Sequence, residues 1–236
     1  MEENLPWSKD GGIGGNQCFN ISGNTTKTPV VFIHGNNSSH SFWKHYINHF
    51  IDRGYIGDEL WAVNVSDKER THRAFSESVN AFVENVCEYC GVDEIDLVAH
   101  SLGVTSARYW MEDYSTYSYV QNFIGLCGAN HGLSFCPPQR LAKLLPKSSL
   151  SKPCQFLSNS GDGEYHYTSL NEDCETPNDV NYYTIRGSRD KLFVLDKESP
   201  ILDGAEKNVE LDETHLGMRT NETAIELVHK WCNKDS

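Results

Sequence analysis

EIDLVAHSLGVT, at residues 94–105, is the segment from which the architecture of the whole chain can be predicted. The apolar residues before the serine predict a buried strand, and the run after Gly103 is compatible with a helix. Ser101 lies between two small residues, Ala99 and Gly103. A sharp strand–turn–helix needs small residues at these positions, because larger side chains would collide across the turn. We therefore predict that Ser101 occupies the tip of a nucleophile elbow.

Strand-like and helix-like segments alternate on both sides of this elbow. Strands are predicted at residues 29–33, 60–65, 120–126, 181–185 and 209–211. Amphipathic helices are predicted at residues 42–53, 75–90, 104–114 and 221–232. This alternation is typical of an α/β protein with a mostly parallel central sheet and helices on both faces. No linker divides the pattern, so we predict one domain over residues 1–236.

Two segments depart from the alternation. Residues 1–28 are rich in Gly, Asn and Thr, and we predict an N-terminal arm over the surface. Residues 133–179 are polar and contain five prolines, and they are too long for a simple connection. We predict a cap-like insertion beside the elbow, the alternative being a surface insertion with no role in binding.

Composition limits the partners and the compartment. The formal net charge is −13, which argues against binding to nucleic acid or to an anionic membrane. No apolar run approaches the roughly 20 residues of a transmembrane helix, and no signal peptide is recognisable at Met1. Eight cysteines are many for a cytosolic enzyme of this size, so we expect a secreted protein with disulfide bonds.

The spacing of the cysteines leaves their pairing open. Cys154 and Cys174 are the first candidate pair, because they bracket a loop-rich segment. Cys87 and Cys90 have a metal-like spacing, but they fall within a helical pattern without a second such motif. We interpret these two as buried helix cysteines.

A serine nucleophile needs a base and an acid. His215 follows the last predicted strand and precedes the last helix, and Asp190 follows the strand at residues 181–185. Asp196 and Asp203 are alternatives to Asp190. The chain order Ser, Asp, His is that of α/β-hydrolases. We therefore predict a triad of Ser101, Asp190 and His215.

The strand at residues 29–33 ends in His-Gly-Asn, where α/β-hydrolases place half of the oxyanion hole. We predict the backbone N–H groups of Asn36 and Leu102 as donors; an ordinary turn is the alternative. His131 is expected to shape the pocket, and His100, within the elbow, to be structural or to line the pocket rather than act as the base. The chemistry requires no metal and no cofactor, and the acidic residues near 172–179 lack calcium-loop spacing.

Five motifs together resemble the class 2 lipase family of α/β-hydrolases, and also the extracellular polyhydroxyalkanoate depolymerases. They are VFIHG at residues 31–35, AHSLG at 99–103, GANHG at 128–132, RGSRD at 186–190 and LDGA at 202–205. The resemblance covers residues 29–232 and implies the same triad and oxyanion donors. The smallest lipases of the family lack a cap, whereas residues 133–179 are long here.

We therefore predict a serine carboxylic-ester hydrolase, a lipase or esterase that forms an acyl-enzyme on an ester or lipid substrate and is a monomer. A polyester depolymerase is one alternative, since surface aromatic residues can dock a polymer. A non-catalytic α/β-hydrolase that binds a ligand is another. Amidases, thioesterases and acyltransferases use the same triad, so the sequence leaves these reactions open as well.

Overall fold

The computed structural model describes residues 5, 8–21, 23–65, 72–134, 136 and 170–233. These residues contain seven strands: β1 Gly12–Gly14, β2 Val30–Ile33, β3 Leu60–Val63, β4 Ile95–His100, β5 Val120–Leu126, β6 Asn181–Gly187 and β7 Lys207–Leu211. They also contain five α-helices: α1 Gly15–Phe19, α2 Lys44–Asp52, α3 His72–Cys90, α4 Leu102–Asp113 and α5 Glu222–Trp231.

The strands form one sheet in the order β1-β3-β2-β4-β5-β6-β7. All neighbouring pairs are parallel except β1 with β3. The carboxyl ends of β2, β4 and β6 therefore lie along the same edge of the sheet, where an α/β protein binds its ligand. The predicted mostly parallel α/β-hydrolase sheet is confirmed.

Helices cover both faces of the sheet. Val30 and Phe32 of β2 pack with residues of α2 and α5, whereas Val31 and Ile33 pack with residues of α3 and α4. All four β2 side chains are fully buried, which explains why this strand is an uninterrupted apolar run. Among the residues described, no helix is long and apolar enough to cross a bilayer.

The N-terminal segment differs from the predicted surface arm. Residues 12–14 form the edge strand β1, which pairs antiparallel with β3, and Ile13 is fully buried. A Cβ on Gly12 would lie 2.6 Å from the carbonyl oxygen of Ala62, so only glycine allows this approach. The glycines that suggested a loop are therefore what lets a short strand pair at this edge.

Most of the predicted cap lies outside the described residues, which resume at Leu170. From there the chain is anchored to α4 by Arg108, a buried arginine. Its Nη2 donates to the carbonyl oxygens of Leu170 and Glu175, at 3.2 and 2.9 Å, and to Oδ1 of Asn171, at 2.8 Å. This end of the insertion is thus fixed to the helix that follows the elbow.

The cysteine predictions have different outcomes. Cys174 is a free, exposed thiol, so the expected Cys154–Cys174 disulfide is wrong; the Cys174 Sγ lies 3.9 Å from Oγ1 of Thr176. Cys87 and Cys90 are free thiols on α3, Cys87 buried and Cys90 half-buried. Burial raises the pKa of the Cys87 thiol to about 11 and that of Cys90 to about 12.

Candidate active site

Ser101 occupies a strained turn between β4 and α4. Its backbone has φ 57° and ψ −128°, a region that L-residues rarely adopt. Its N–H donates to the carbonyl oxygen of Leu126 on the neighbouring strand, at 2.8 Å. A Cβ on Gly35 would lie 2.7 Å from the Ser101 Cβ, so glycine is needed where β2 ends beside the serine. The turn therefore holds the hydroxyl at the carboxyl edge of the sheet.

The imidazole of His215 bridges Ser101 and Asp190. Its Nε2 lies 2.8 Å from Oγ of Ser101, and its Nδ1 lies 2.6 Å from Oδ2 of Asp190. The carboxylate accepts from Nδ1–H, which leaves Nε2 free to accept the hydroxyl proton. The structure thus brings together the three side chains that the sequence predicted.

Hydrogen bonds hold both carboxylate oxygens of Asp190. Its Oδ1 accepts from the N–H of Leu192, at 3.0 Å, where it caps the short 3₁₀ helix Lys191–Phe193. The carboxylate is completely buried, while 16% of the His215 side chain is exposed. Of the alternative acids, Asp196 accepts from Ser134 and Asp203 is exposed. Geometry therefore favours Asp190 as the partner of the imidazole.

The two predicted oxyanion donors belong to chain segments that meet at Ser101. Leu102 is the first residue of α4, so its N–H belongs to the positive end of a helix dipole. Asn36 directly follows Gly35, the glycine packed against Ser101. Both N–H groups therefore come from backbone next to the serine.

His34, to which the sequence pattern assigned no role, is buried beside this turn. The N–H of Val65 donates to its Nε2, at 3.1 Å, so the ring proton of the neutral imidazole lies on Nδ1. Nδ1 lies 2.8 Å from the carbonyl oxygen of Gly35 and donates to it. Because a peptide unit is planar, fixing this carbonyl also fixes the direction of the Asn36 N–H. The only sequence signal was the adjacency of His34 to Gly35.

One group of potential metal ligands occurs among the described residues: His100, Cys127 and His215. Both ring nitrogens of His215 already have hydrogen-bond partners, Asp190 and Ser101. Burial raises the pKa of the Cys127 thiol well above its usual value, which disfavours the thiolate that a metal requires. We therefore assign this group no metal.

The family of the chain follows from a match over most of its length. The profile described as Lipase (class 2) matches residues 27–229. The chain belongs to the class 2 lipase family. The resemblance noted in the sequence is confirmed, and the enzyme is a serine ester hydrolase.

Solved structures share the fold of this class 2 lipase at low sequence identity. The lipase BlEst2 of Bacillus licheniformis in its mature form has a TM-score of 0.68 and 17% identity, over 90% of this chain and 95% of that one. Carboxylesterase CesB of Bacillus subtilis has a TM-score of 0.60 and 13% identity, over 92% and 87%. Lipase B of Aspergillus fumigatus has a TM-score of 0.66 and 16% identity, and the match covers 86% of this chain but 52% of that lipase.

Proposed function

We propose that Ser101 is the nucleophile of the ester hydrolysis, that His215 is its general base and that Asp190 orients the base. The supporting observation is the position of the His215 imidazole, within 2.8 Å of the Ser101 hydroxyl and 2.6 Å of the Asp190 carboxylate. His215 takes the hydroxyl proton as Ser101 attacks the ester carbonyl, and then delivers it to the leaving alcohol. Water, activated by the same imidazole, hydrolyses the acyl-enzyme.

The oxyanion of each tetrahedral intermediate would be bound by the N–H groups of Asn36 and Leu102. This proposal is supported by the position of Leu102 at the start of α4 and by the His34 hydrogen bond that orients the Gly35–Asn36 peptide. Removing one donor of this kind typically costs about 3 kcal/mol of transition-state stabilisation.

The test is the Ser101→Ala variant, with Ser118→Ala as the control; Ser118 is an exposed serine in the 3₁₀ helix Tyr117–Tyr119. Ser101→Ala should lose hydrolysis of p-nitrophenyl esters and covalent labelling by a fluorophosphonate, whereas Ser118→Ala should keep both. Turnover by Ser101→Ala at the wild-type rate would refute the assignment.

We infer that the acyl group of the substrate is apolar, as in a lipid ester. Three exposed aliphatic residues follow the triad residues in the chain: Val194 (60% exposed), Leu195 (78%) and Leu216 (72%). Phe193 directly precedes Val194 and Leu195, and its ring centroid lies 6.3 Å from that of His215, so this segment lies near the site. Exposed apolar side chains next to a reactive centre favour a hydrophobic ligand over a charged one.

Changing Leu195 and Leu216 to serine tests this substrate class. The double variant should raise KM for p-nitrophenyl dodecanoate and leave the hydrolysis of p-nitrophenyl acetate unchanged, because an acetyl group is too short to contact these side chains. The control is Tyr89→Ser, which removes an exposed apolar residue of α3 (61% exposed). Equal effects on both esters would contradict a lipid-like acyl group.

Two alternatives predict different outcomes. A polyester depolymerase would release soluble products from a polyhydroxyalkanoate film, a substrate for which the same exposed residues provide a docking surface. A non-catalytic binding protein would resist the fluorophosphonate, because labelling requires an activated serine. The hydrogen-bonded Ser101, His215 and Asp190 favour a catalytic protein over this second alternative.

We also propose that the enzyme is a secreted, monomeric protein and that residues 1–236 form one domain. Secretion is supported by the eight cysteines, which are many for a cytosolic enzyme of this size, and a single domain by the continuous sheet that joins strands between residues 12 and 211. Sedimentation should give a mass near 26.7 kDa, and activity in the source organism should be found in the medium rather than in the cells.

A further inference from the structure

His100, the residue before the proposed nucleophile, is buried between two other rings. It ends β4 and is only 2% exposed. Its imidazole stacks on Phe42, with ring centroids 4.3 Å apart and planes at 24°, and its centroid lies 4.8 Å from that of His215. These contacts leave the ring a single orientation, directed at the loop that carries the base.

The protonation of His100 follows from its hydrogen bond. Its Nε2 lies 3.0 Å from the backbone carbonyl oxygen of His215, and a carbonyl only accepts, so Nε2 carries the proton. Burial lowers the pKa of His100 to about 3, so the ring is neutral and Nδ1 is unprotonated. Nδ1 faces Gly35, where an added Cβ would approach it to 3.3 Å.

We propose that His100 is a positioning residue that holds the backbone of His215 in register with Ser101. Ser101 and His215 are 114 residues apart in the chain and belong to different loops, so a tertiary contact must fix their separation. His100 is bonded covalently to Ser101 and by hydrogen bond to the His215 carbonyl. It therefore links the nucleophile to the base through the backbone of both residues.

The lack of charge on His100 matters as much as its hydrogen bond. The proposed mechanism passes through a positively charged His215, and a second positive ring 4.8 Å away would oppose that state. A buried, neutral imidazole supplies an N–H donor without this penalty. The inference rests on the proposed function, because the register of the two residues matters only if Ser101 and His215 act together.

The variants His100→Leu and His100→Gln test this role. Leucine fills much of the same space but has no donor, whereas the glutamine amide can place an N–H near the position of Nε2. We expect kcat to fall about 10- to 100-fold in His100→Leu, with KM nearly unchanged, because misplaced catalytic groups cost rates of this order. His100→Gln should recover most of the loss. The control is His229→Leu. His229 is a second neutral histidine outside the triad, but it is only partly buried, and its loss should leave kcat unchanged.

A proton spectrum supplies a readout that does not depend on turnover. The proton between Nδ1 of His215 and Asp190 should give a far-downfield resonance in the wild type and in His100→Gln, and should broaden or vanish in His100→Leu. Should His100→Leu fail to fold, His100→Asn replaces it, because its amide is one methylene shorter and cannot reach the carbonyl.

The outcomes separate this inference from the proposed function. Equal kcat losses in the leucine and glutamine variants would show that only packing matters, and full activity with an intact resonance in His100→Leu would show that the hydrogen bond is dispensable. Either result overturns the positioning role while leaving the triad assignment in place. A wild-type protein without ester turnover or fluorophosphonate labelling would refute the function itself, and the resonance would still test whether His100 holds His215.

Discussion

Gly103 approaches the backbone of His34 so closely that a Cβ on Gly103 would lie 2.6 Å from the carbonyl oxygen of His34. The first turn of α4 is thereby packed on the end of β2. Because Ser101 precedes this turn and Asn36 lies two residues after His34, the contact sets the spacing between the nucleophile elbow and Asn36, the proposed oxyanion donor that follows β2.

Replacing Gly103 with alanine should destabilise the protein. The added methyl group meets backbone that cannot rotate away, and overpacking of this kind typically costs about 1–3 kcal/mol. Urea denaturation would measure the change. Gly23→Ala is the control, because a Cβ there meets only the flexible side chain of Ile56, at 3.3 Å. Equal stability of the two variants would contradict the close contact at Gly103.

Replacing Ser101 with glycine should stabilise the protein while removing activity. The backbone at Ser101 has φ 57° and ψ −128°, and strain of this kind typically costs about 1–3 kcal/mol. Glycine relieves that strain but adds flexibility to the unfolded chain worth about 0.4–1 kcal/mol, so we expect a net gain of about 1 kcal/mol. Ser101→Ala is the matched variant, since it is equally inactive but keeps the Cβ. A glycine variant no more stable than the alanine variant would argue against strain at the elbow.

Replacing His34 with leucine should slow the reaction without weakening substrate binding. The change removes the Nδ1–H donor to Gly35 and the Nε2 acceptor for Val65, so the Gly35–Asn36 peptide is free to rotate. We expect kcat to fall about 10-fold, less than for complete loss of an oxyanion donor, with little change in KM. His45→Leu, at an exposed position on α2, should behave as wild type. A rise in KM with unchanged kcat would place His34 in substrate binding instead.

The stability of the protein should fall as the pH falls below about 6.5. Burial lowers the pKa of His229 to about 4 and that of His100 to about 3, from 6.5. Between the two pKa values of each group, the unfolded chain binds a proton that the folded chain does not. The free energy of unfolding therefore falls with decreasing pH, by up to about 1.4 kcal/mol per pH unit for each group.

The His229→Leu variant isolates one of these groups. His229 is only partly buried, so we expect its share of the slope to lie below the maximum. Urea denaturation between pH 7 and pH 4 should give a shallower dependence for the variant than for the wild type. Identical slopes would mean that His229 binds its proton equally well in both states.

Among the cysteines that the structure describes, Cys174 should be the thiol that reacts fastest in the folded protein. It is exposed, whereas the other free thiols of the described residues are buried or half-buried: Cys18, Cys87, Cys90, Cys127 and Cys232. Treatment with N-ethylmaleimide followed by peptide mass spectrometry would identify the modified site. Failure of Cys174 to react before the protein unfolds would contradict the exposure of this thiol.

Local patterns were sufficient for the fold and the family. Short apolar runs predicted six of the seven described strands, and helical spacings predicted helices α2 to α5 to within a few residues; the strand at residues 120–126, for example, is β5 as found. The elbow needed only small residues around Ser101, because its geometry arises within one turn of chain. These features depend on contacts between near neighbours, which sequence spacing reports directly.

Some contacts between segments that are distant in the chain could not be predicted from the sequence. Glycines at residues 12 and 14 indicated a loop, because nothing local reveals that β3 offers them a free edge. The position of Asp190 directly after β6 favoured it over Asp196 and Asp203, but only the path of the chain places its carboxylate against His215. The roles proposed for these site residues remain predictions that the variants above address.

The amino-acid sequence by itself determined the order of strands and helices, the elbow at Ser101 and the membership of the family. Only the tertiary structure decided which carboxylate meets the imidazole and which buried rings hold the backbone around it, as His34 and His100 do. The physical reason is that an imidazole is equally suited to solvent, to packing and to hydrogen bonding. Its role is set by the groups that folding brings to its two nitrogens, and these come from parts of the chain that no local spacing connects.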